Sequence, residues 1–383
     1  MGLLRNPWLD VLRGIAIVGV LSVHTIQTTD PLVTGLGGST SNTFSNIMSL
    51  GQYGVEVFFF LSGWLMAALY GNPSNEKNFS KRTFWARRIA RIFPLYVVFL
   101  MLGILEDRLV GLGPWHMAQQ LTLNNFSHNP IISILLTLTF MQWISLGLWN
   151  VIIPGGWSIQ VEMGHYLFFA YMRKMTQEKL IRIIAICYMI LALTNIAFEI
   201  THPVGFLKEF FDAVFRLNLM STGFFFLLGI IAQKRSEKNW EITSLLNLSA
   251  RTKSSMIIIF ICWISFPLAV GNNVQALGFL VLALIASILV MEFPRAKKIL
   301  RVLGQYSYFI YFCHFHVLSI LRYLMQQYSI ELTPLDDLSP FKPYLQISMY
   351  LFFYFTTISA SLLLALPSYK YFEKPILKLA HRN

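Results

Sequence analysis

Inside the apolar stretch LDVLRGIAIVGVLSVHT, Leu9 to Thr25, stand Arg13 and His24, two residue types that hydrocarbon disfavours. Ionisable side chains within membrane spans are costly and as a rule face a bundle interior or an aqueous cavity, so each marks a candidate functional site. Glu56, Glu162, His165, His314 and His316 occupy comparable places in later apolar stretches. An imidazole titrates near neutrality and serves as a general base or as a nucleophile. A carboxylate beside it fixes its tautomer and stabilises the imidazolium, and a guanidinium binds phosphate through a rigid fork of donors. Acid–base and group-transfer chemistry are therefore the first classes to consider.

Arg13 and His24 are eleven residues apart, on a helix about 16 Å of rise and close to three turns, so they lie on broadly one side at different depths. Arg13 is also one turn from Asp10, a pairing that would let it snorkel to the inner leaflet instead. In FWARRIARIFPLY, Arg88 and Arg91 are three apart on one helical face, spacing that suits phosphate and equally suits a charged membrane flank. GQYGVEVFFFLSGWLMA places Glu56 a turn inside its span, where a carboxylate is positioned to orient His24. The run Leu61, Ser62, Gly63 offers small residues for close helix approach. In PGGWSIQVEMGHYLFF, Gly155 and Gly156 permit a tight turn, Trp157 anchors the interface, Ser158 follows it, and Glu162 lies deeper. GQYSYFIYFCHFHVL brings Tyr308, Tyr311 and His314 onto one helix face near mid-membrane.

These residues need a scaffold, and composition supplies it. Of 383 residues, 55% are hydrophobic and 13% charged, which excludes an ordinary soluble domain. The net charge of +12 sits in short clusters between apolar runs, so nucleic acid is not an expected partner. Cys187, Cys262 and Cys313 show neither disulfide nor metal-ligand spacing, and no metal is expected. The expected fold is an all-α polytopic membrane protein with about ten transmembrane helices, near 8–27, 50–70, 89–106, 157–172, 183–200, 213–232, 255–270, 275–293, 304–325 and 345–366. The first is a retained helix, not a cleaved signal.

The stretch 131–148 is ambiguous. With it outside the count, the cytoplasmic side collects all of the 30 Lys and Arg except Arg108, Lys208, Arg216, Arg322 and Lys342. A crossing there would put most of the charge outside, against the positive-inside rule. It is expected to be a re-entrant or interfacial segment, with both termini cytoplasmic and residues 1–383 forming a single integral membrane domain without an appended soluble one.

Taken together, LRG with the Arg13-to-His24 spacing, FFFLSGW, Arg-x-x-Arg at Arg88 and Arg91, WSIQVE at 157–162 and SYFIYFCH at 307–314 resemble, in order, the acyltransferase 3 family, and YFEKP at 371–375 resembles its C-terminal signature. The chain departs from that pattern at Met163, where relatives often carry a second acid, and at His165, where they carry an aromatic ring. The resemblance implies an integral membrane acyl-CoA-dependent O-acyltransferase in the bacterial inner membrane. The donor would be acetyl-CoA or another acyl-CoA. The acceptor would be a glycan or lipid-linked sugar hydroxyl on the outer side, reached among membrane lipid and with glycan-assembly proteins as further partners. It implies catalytic roles for His24, Glu56 and Glu162 and donor binding by Arg13, Arg88 and Arg91. Trp157, Ser158, Tyr308, Tyr311 and His314 would support substrate or structure. The competing readings are a proton-coupled secondary transporter, since intramembrane His and Glu also build proton relays, and an acyl carrier serving a separate transferase.

Overall fold

The computed structural model describes residues 6–35, 42–71, 80–110, 130–141, 153, 155–201, 219–236, 272–327 and 342–380. They form helices: α1 (Pro7–Gly35), α2 (Asn42–Ser49), α3 (Gly54–Tyr70), α4 (Lys81–Val110), α5 (Pro130–Leu138), α6 (Gly156–Met172), α7 (Gln177–Thr201), α8 (Leu219–Ser236), α9 (Asn272–Val290), α10 (Pro294–Gln305), α11 (Ser307–Gln327), α12 (Lys342–Ser368) and α13 (Lys374–Ala380). A 3₁₀ turn, Leu50–Tyr53, joins α2 to α3, and a π-helical turn, Tyr369–Glu373, joins α12 to α13. No strand occurs among the described residues. Backbone groups in lipid must be satisfied within the segment, and helices do this without a sheet edge.

Among the described residues, five stretches are long and apolar enough to cross a membrane: Pro7–Asp30, Thr43–Tyr70, Lys81–Glu106, Ser307–Met325 and Tyr344–Ala380. The protein is a multi-pass membrane protein. The expected spans at 157–172 and 183–200 fall on α6 and α7, and residues 219–232 of the one at 213–232 fall on α8. The one at 255–270 lies outside the described residues. Within 131–148, α5 ends at Leu138, and Phe140 follows at φ 56°. Nine residues rise only about 14 Å, so α5 alone does not cross. Residues 142–148 lie outside the description.

Two boundaries differ from the sequence reading. The expected span at 304–325 is broken at Tyr306, whose N–H bonds back to the Val302 carbonyl while α11 starts afresh at Ser307. The basic stretch before it, a charge cluster between two expected spans, is the helix α10. In addition, α4 begins at Lys81, so Arg87, Arg88 and Arg91 belong to the helix itself, and it continues through Pro94.

The described chain clusters into two compact units: residues 1–55 with 279–375, and residues 56–278 with 376–383. In the first, α1 packs against α10, α11, α12 and the 3₁₀ turn. Two glycines set the α1–α10 distance. A Cβ on Gly14 would stand 2.1 Å from the Leu300 carbonyl oxygen, and one on Gly304 would stand 1.8 Å from that of Asp10. Without side chains there, the two backbones touch and gain dispersion contact, which is the main cohesive force between helices in lipid. In the second unit α3 and α8 cross in the same way: Gly63 meets the Phe226 carbonyl, and Gly229 meets that of Phe60. The small-residue run ending at Gly63 does provide close approach. α8 also packs on α6 and α7.

Candidate active site

In the first unit, α1 presents His24 to the α11 residues His314 and Phe315, with ring centroids 5.3 and 4.4 Å away. The Nδ1 of His24 lies 3.0 Å from Gln27 Oε1. An amide oxygen only accepts, so this Nδ1 carries the proton and Nε2 holds the lone pair. The Nδ1 of His314 lies 3.0 Å from the carbonyl of Ile310, one turn back, which fixes the same tautomer. The Nε2 of His314 is buried and has no hydrogen-bond partner among the described residues. Two neighbouring imidazoles thus each hold their proton on the side facing their own helix and keep a basic nitrogen on the other. Tyr311 packs edge-on to His314 at 5.9 Å, and Tyr308 packs on Phe312 at 5.3 Å. Further down α1, Arg13 Nη1 bonds Asp10 Oδ1 at 3.0 Å. The pairing expected from their one-turn spacing is present.

In the second unit, Oε1 of Glu162 accepts hydrogen bonds from the hydroxyls of Ser62 and Tyr166. Charge-assisted bonds of this kind anchor a carboxylate that apolar surroundings would otherwise expel. The guanidinium of Arg88 stands over the Tyr166 ring, 5.7 Å from its centroid. Arg88 is 9% exposed and its Nε is buried without a partner among the described residues, while Arg91, one turn on, is exposed. Glu56 is half-buried in the first turn of α3, and its Oε2 has no partner among the described residues. His165 is buried, its Nε2 2.9 Å from Thr222 Oγ1 and its ring stacked on Phe226 at 5.0 Å. The tight turn before α6 is real: Gly155 has φ 72°, a conformation glycine adopts freely. Ser158 donates to the Gly155 carbonyl at 3.0 Å, which places it in that turn's scaffold, and Trp157 packs on Phe59 at 6.4 Å.

Thus His24, Tyr311 and His314 come together in one unit, and Glu162 and Arg88 meet through Tyr166 in the other. Sequence reasoning passed over Gln27, three residues from His24, and Tyr166, four residues from Glu162; both spacings are those of helical neighbours. Ser62 was read only as a small residue, and its hydroxyl bond to Glu162 spans 100 positions. For His24 in the catalytic role expected from the sequence, replacing Gln27 by Leu should lower turnover roughly 10- to 100-fold, the cost of a mis-oriented group, with the donor requirement unchanged. Initial rates over a donor titration measure both.

A multi-helix membrane fold carrying an oriented intramembrane imidazole defines a class of candidates rather than one activity. The family model for an acyltransferase domain matches residues 6–366, nearly the whole chain and across both units. The chain belongs to the acyltransferase 3 family. It is similar to acyltransferase MdmB of Streptomyces mycarofaciens, 34% identical over 117 residues, 29% of this chain. That match spans 28% of the length of the relative. No solved structure matches.

Proposed function

We propose that this membrane acyltransferase moves an acyl group, acetyl as the simplest case, from cytoplasmic acyl-CoA to a sugar hydroxyl of an extracytoplasmic polysaccharide or its lipid-linked precursor, in the bacterial inner membrane. The observation that carries the reading is His24, whose Nδ1 is held by Gln27 so that Nε2 presents a lone pair. In this reaction Nε2 takes the proton from the acceptor hydroxyl as its oxygen attacks the thioester carbonyl. The tetrahedral intermediate then collapses, the carbon–sulfur bond breaks, and the departing thiolate receives that proton from the imidazolium. The products are the sugar ester and coenzyme A.

The donor's phosphates are assigned to guanidinium groups, Arg13 on α1 and Arg88 and Arg91 on α4, on the chemistry of the residue type. Arg88→Ala and Arg91→Ala should each raise the acyl-CoA concentration needed for half-maximal rate by about tenfold, the loss of one charge-assisted contact, with a smaller effect on the saturated rate. Glu56 and Glu162 are the assigned acidic residues. Ser62 and Tyr166 support that role for Glu162 by holding its carboxylate in a fixed orientation.

The test uses the purified protein with labelled acetyl-CoA and an extract of lipid-linked sugars. The proposal expects release of free CoA thiol matched by base-labile ester. A protein that becomes labelled yet forms ester only when a soluble transferase is added is instead an acyl carrier.

A further inference from the structure

The basic helix α10 takes no part in the chemistry above. It lines, with Met291 just before it, a cavity of 360 Å³ whose walls are Pro294, Lys297, Lys298, Arg301, Val302 and Gln305. This volume lies within the range of small-ligand sites. Lys297 and Lys298 are adjacent, and Arg301 follows Lys297 by one turn on the same face. Like charges at that spacing repel one another. Among the described residues none of the three pairs with a carboxylate, and the buried Nε of Arg301 has no hydrogen-bond partner. A membrane flank that served only to set topology would let its cations radiate into water. Here three of them border one concavity, between the apolar side chains of Met291, Pro294 and Val302.

The helix is also held rigidly. Its Leu300 and Gly304 are the residues in backbone contact with Gly14 and Asp10 of α1. The cations are therefore mounted on an element that does not need to be ordered by its ligand, which lowers the entropic cost of binding. Phe293 and Ile299 leave large apolar side chains 60% and 61% exposed beside the basic residues, as on a helix lying in a membrane interface.

We propose that the α10 cavity is a phosphate-binding site, in which the Lys297 and Lys298 ammonium groups and the Arg301 guanidinium hold a phosphate monoester or diester and Gln305 adds a neutral hydrogen bond. The inference does not depend on the transfer reaction. The phosphate has two sources, the headgroup of an anionic phospholipid or a phosphate of the acyl donor.

The experiment uses the full chain in nanodiscs of phosphatidylcholine, with or without phosphatidylglycerol. It compares wild type, the triple variant Lys297→Gln, Lys298→Gln, Arg301→Gln, and a control that removes three other cations, Lys179→Gln, Lys374→Gln, Lys378→Gln. Two quantities are read: the rise in thermal midpoint that phosphatidylglycerol produces, and the affinity for coenzyme A in phosphatidylcholine alone. A lipid source predicts that the triple variant loses most of the thermal rise and keeps its coenzyme A affinity. A donor source predicts coenzyme A binding about tenfold weaker in the triple variant, with the thermal rise intact. Either result supports the site, and restoration by Lys297→Arg with Lys298→Arg, keeping Arg301, shows that charge is what matters. A triple variant indistinguishable from the control in both readouts overturns it. Intact coenzyme A binding in a protein that forms no ester would count against the transfer reaction and leave the site standing.

Discussion

Replacing His24 by alanine is expected to lower acyl transfer by about 10²- to 10⁴-fold, the range that a positioned general base contributes. The side chain is half-buried, and its neighbours are the rings of His314 and Phe315 and the Gln27 amide. Its removal takes away one edge of a ring cluster while the α1 backbone stays clasped by α10, so the variant should fold and insert. Release of CoA thiol by purified protein, with thermal unfolding as a control, separates lost chemistry from lost structure. If His24 were only a packing residue, activity and thermal midpoint would fall together.

The second large effect is structural. Gly304→Ala is expected to destabilise the protein by about 3 kcal/mol, the upper end of overpacking costs. The added Cβ would stand 1.8 Å from the Asp10 carbonyl oxygen, a backbone atom with no rotamer to escape into. Relief requires α1 and α10 to separate, which also breaks the Gly14–Leu300 contact and shifts the turn that carries Arg13. Gly223→Ala makes the useful contrast: its Cβ would meet only His165 Cε1, at 3.5 Å, an ordinary contact. That variant should stay within about 0.5 kcal/mol of wild type. Thermal unfolding in one detergent compares the pair, and equal midpoints would show that α1 and α10 pack less closely than described.

Much of this architecture is readable from residue order because membrane helices announce themselves by length and apolarity. The stretch around His24 and the run ending at Gly63 carry their own signals, an ionisable residue where none should be and small residues where backbones must touch. The Asp10–Arg13 pair is likewise legible, since both partners share one helix turn. The helix α10 was hidden for the opposite reason. Four cations in PRAKKILR dominate any hydropathy average, so a search for apolar runs of spanning length passes over this amphipathic helix of 12 residues. The Ser62–Glu162 bond was hidden because nothing local encodes which helix lies beside which. Gln27 was overlooked because an exposed amide at a span's end reads as ordinary until the imidazole orientation is known.

Sidedness and histidine dependence of the transfer are read together in one assay. Labelled acetyl-CoA is added outside sealed, inverted inner-membrane vesicles, so that it meets only the cytoplasmic face, and base-labile label in lumenal glycan is followed for wild type and His24→Ala. Ester is expected in the lumen for wild type, with background label for the variant. Equal ester in both preparations would contradict it.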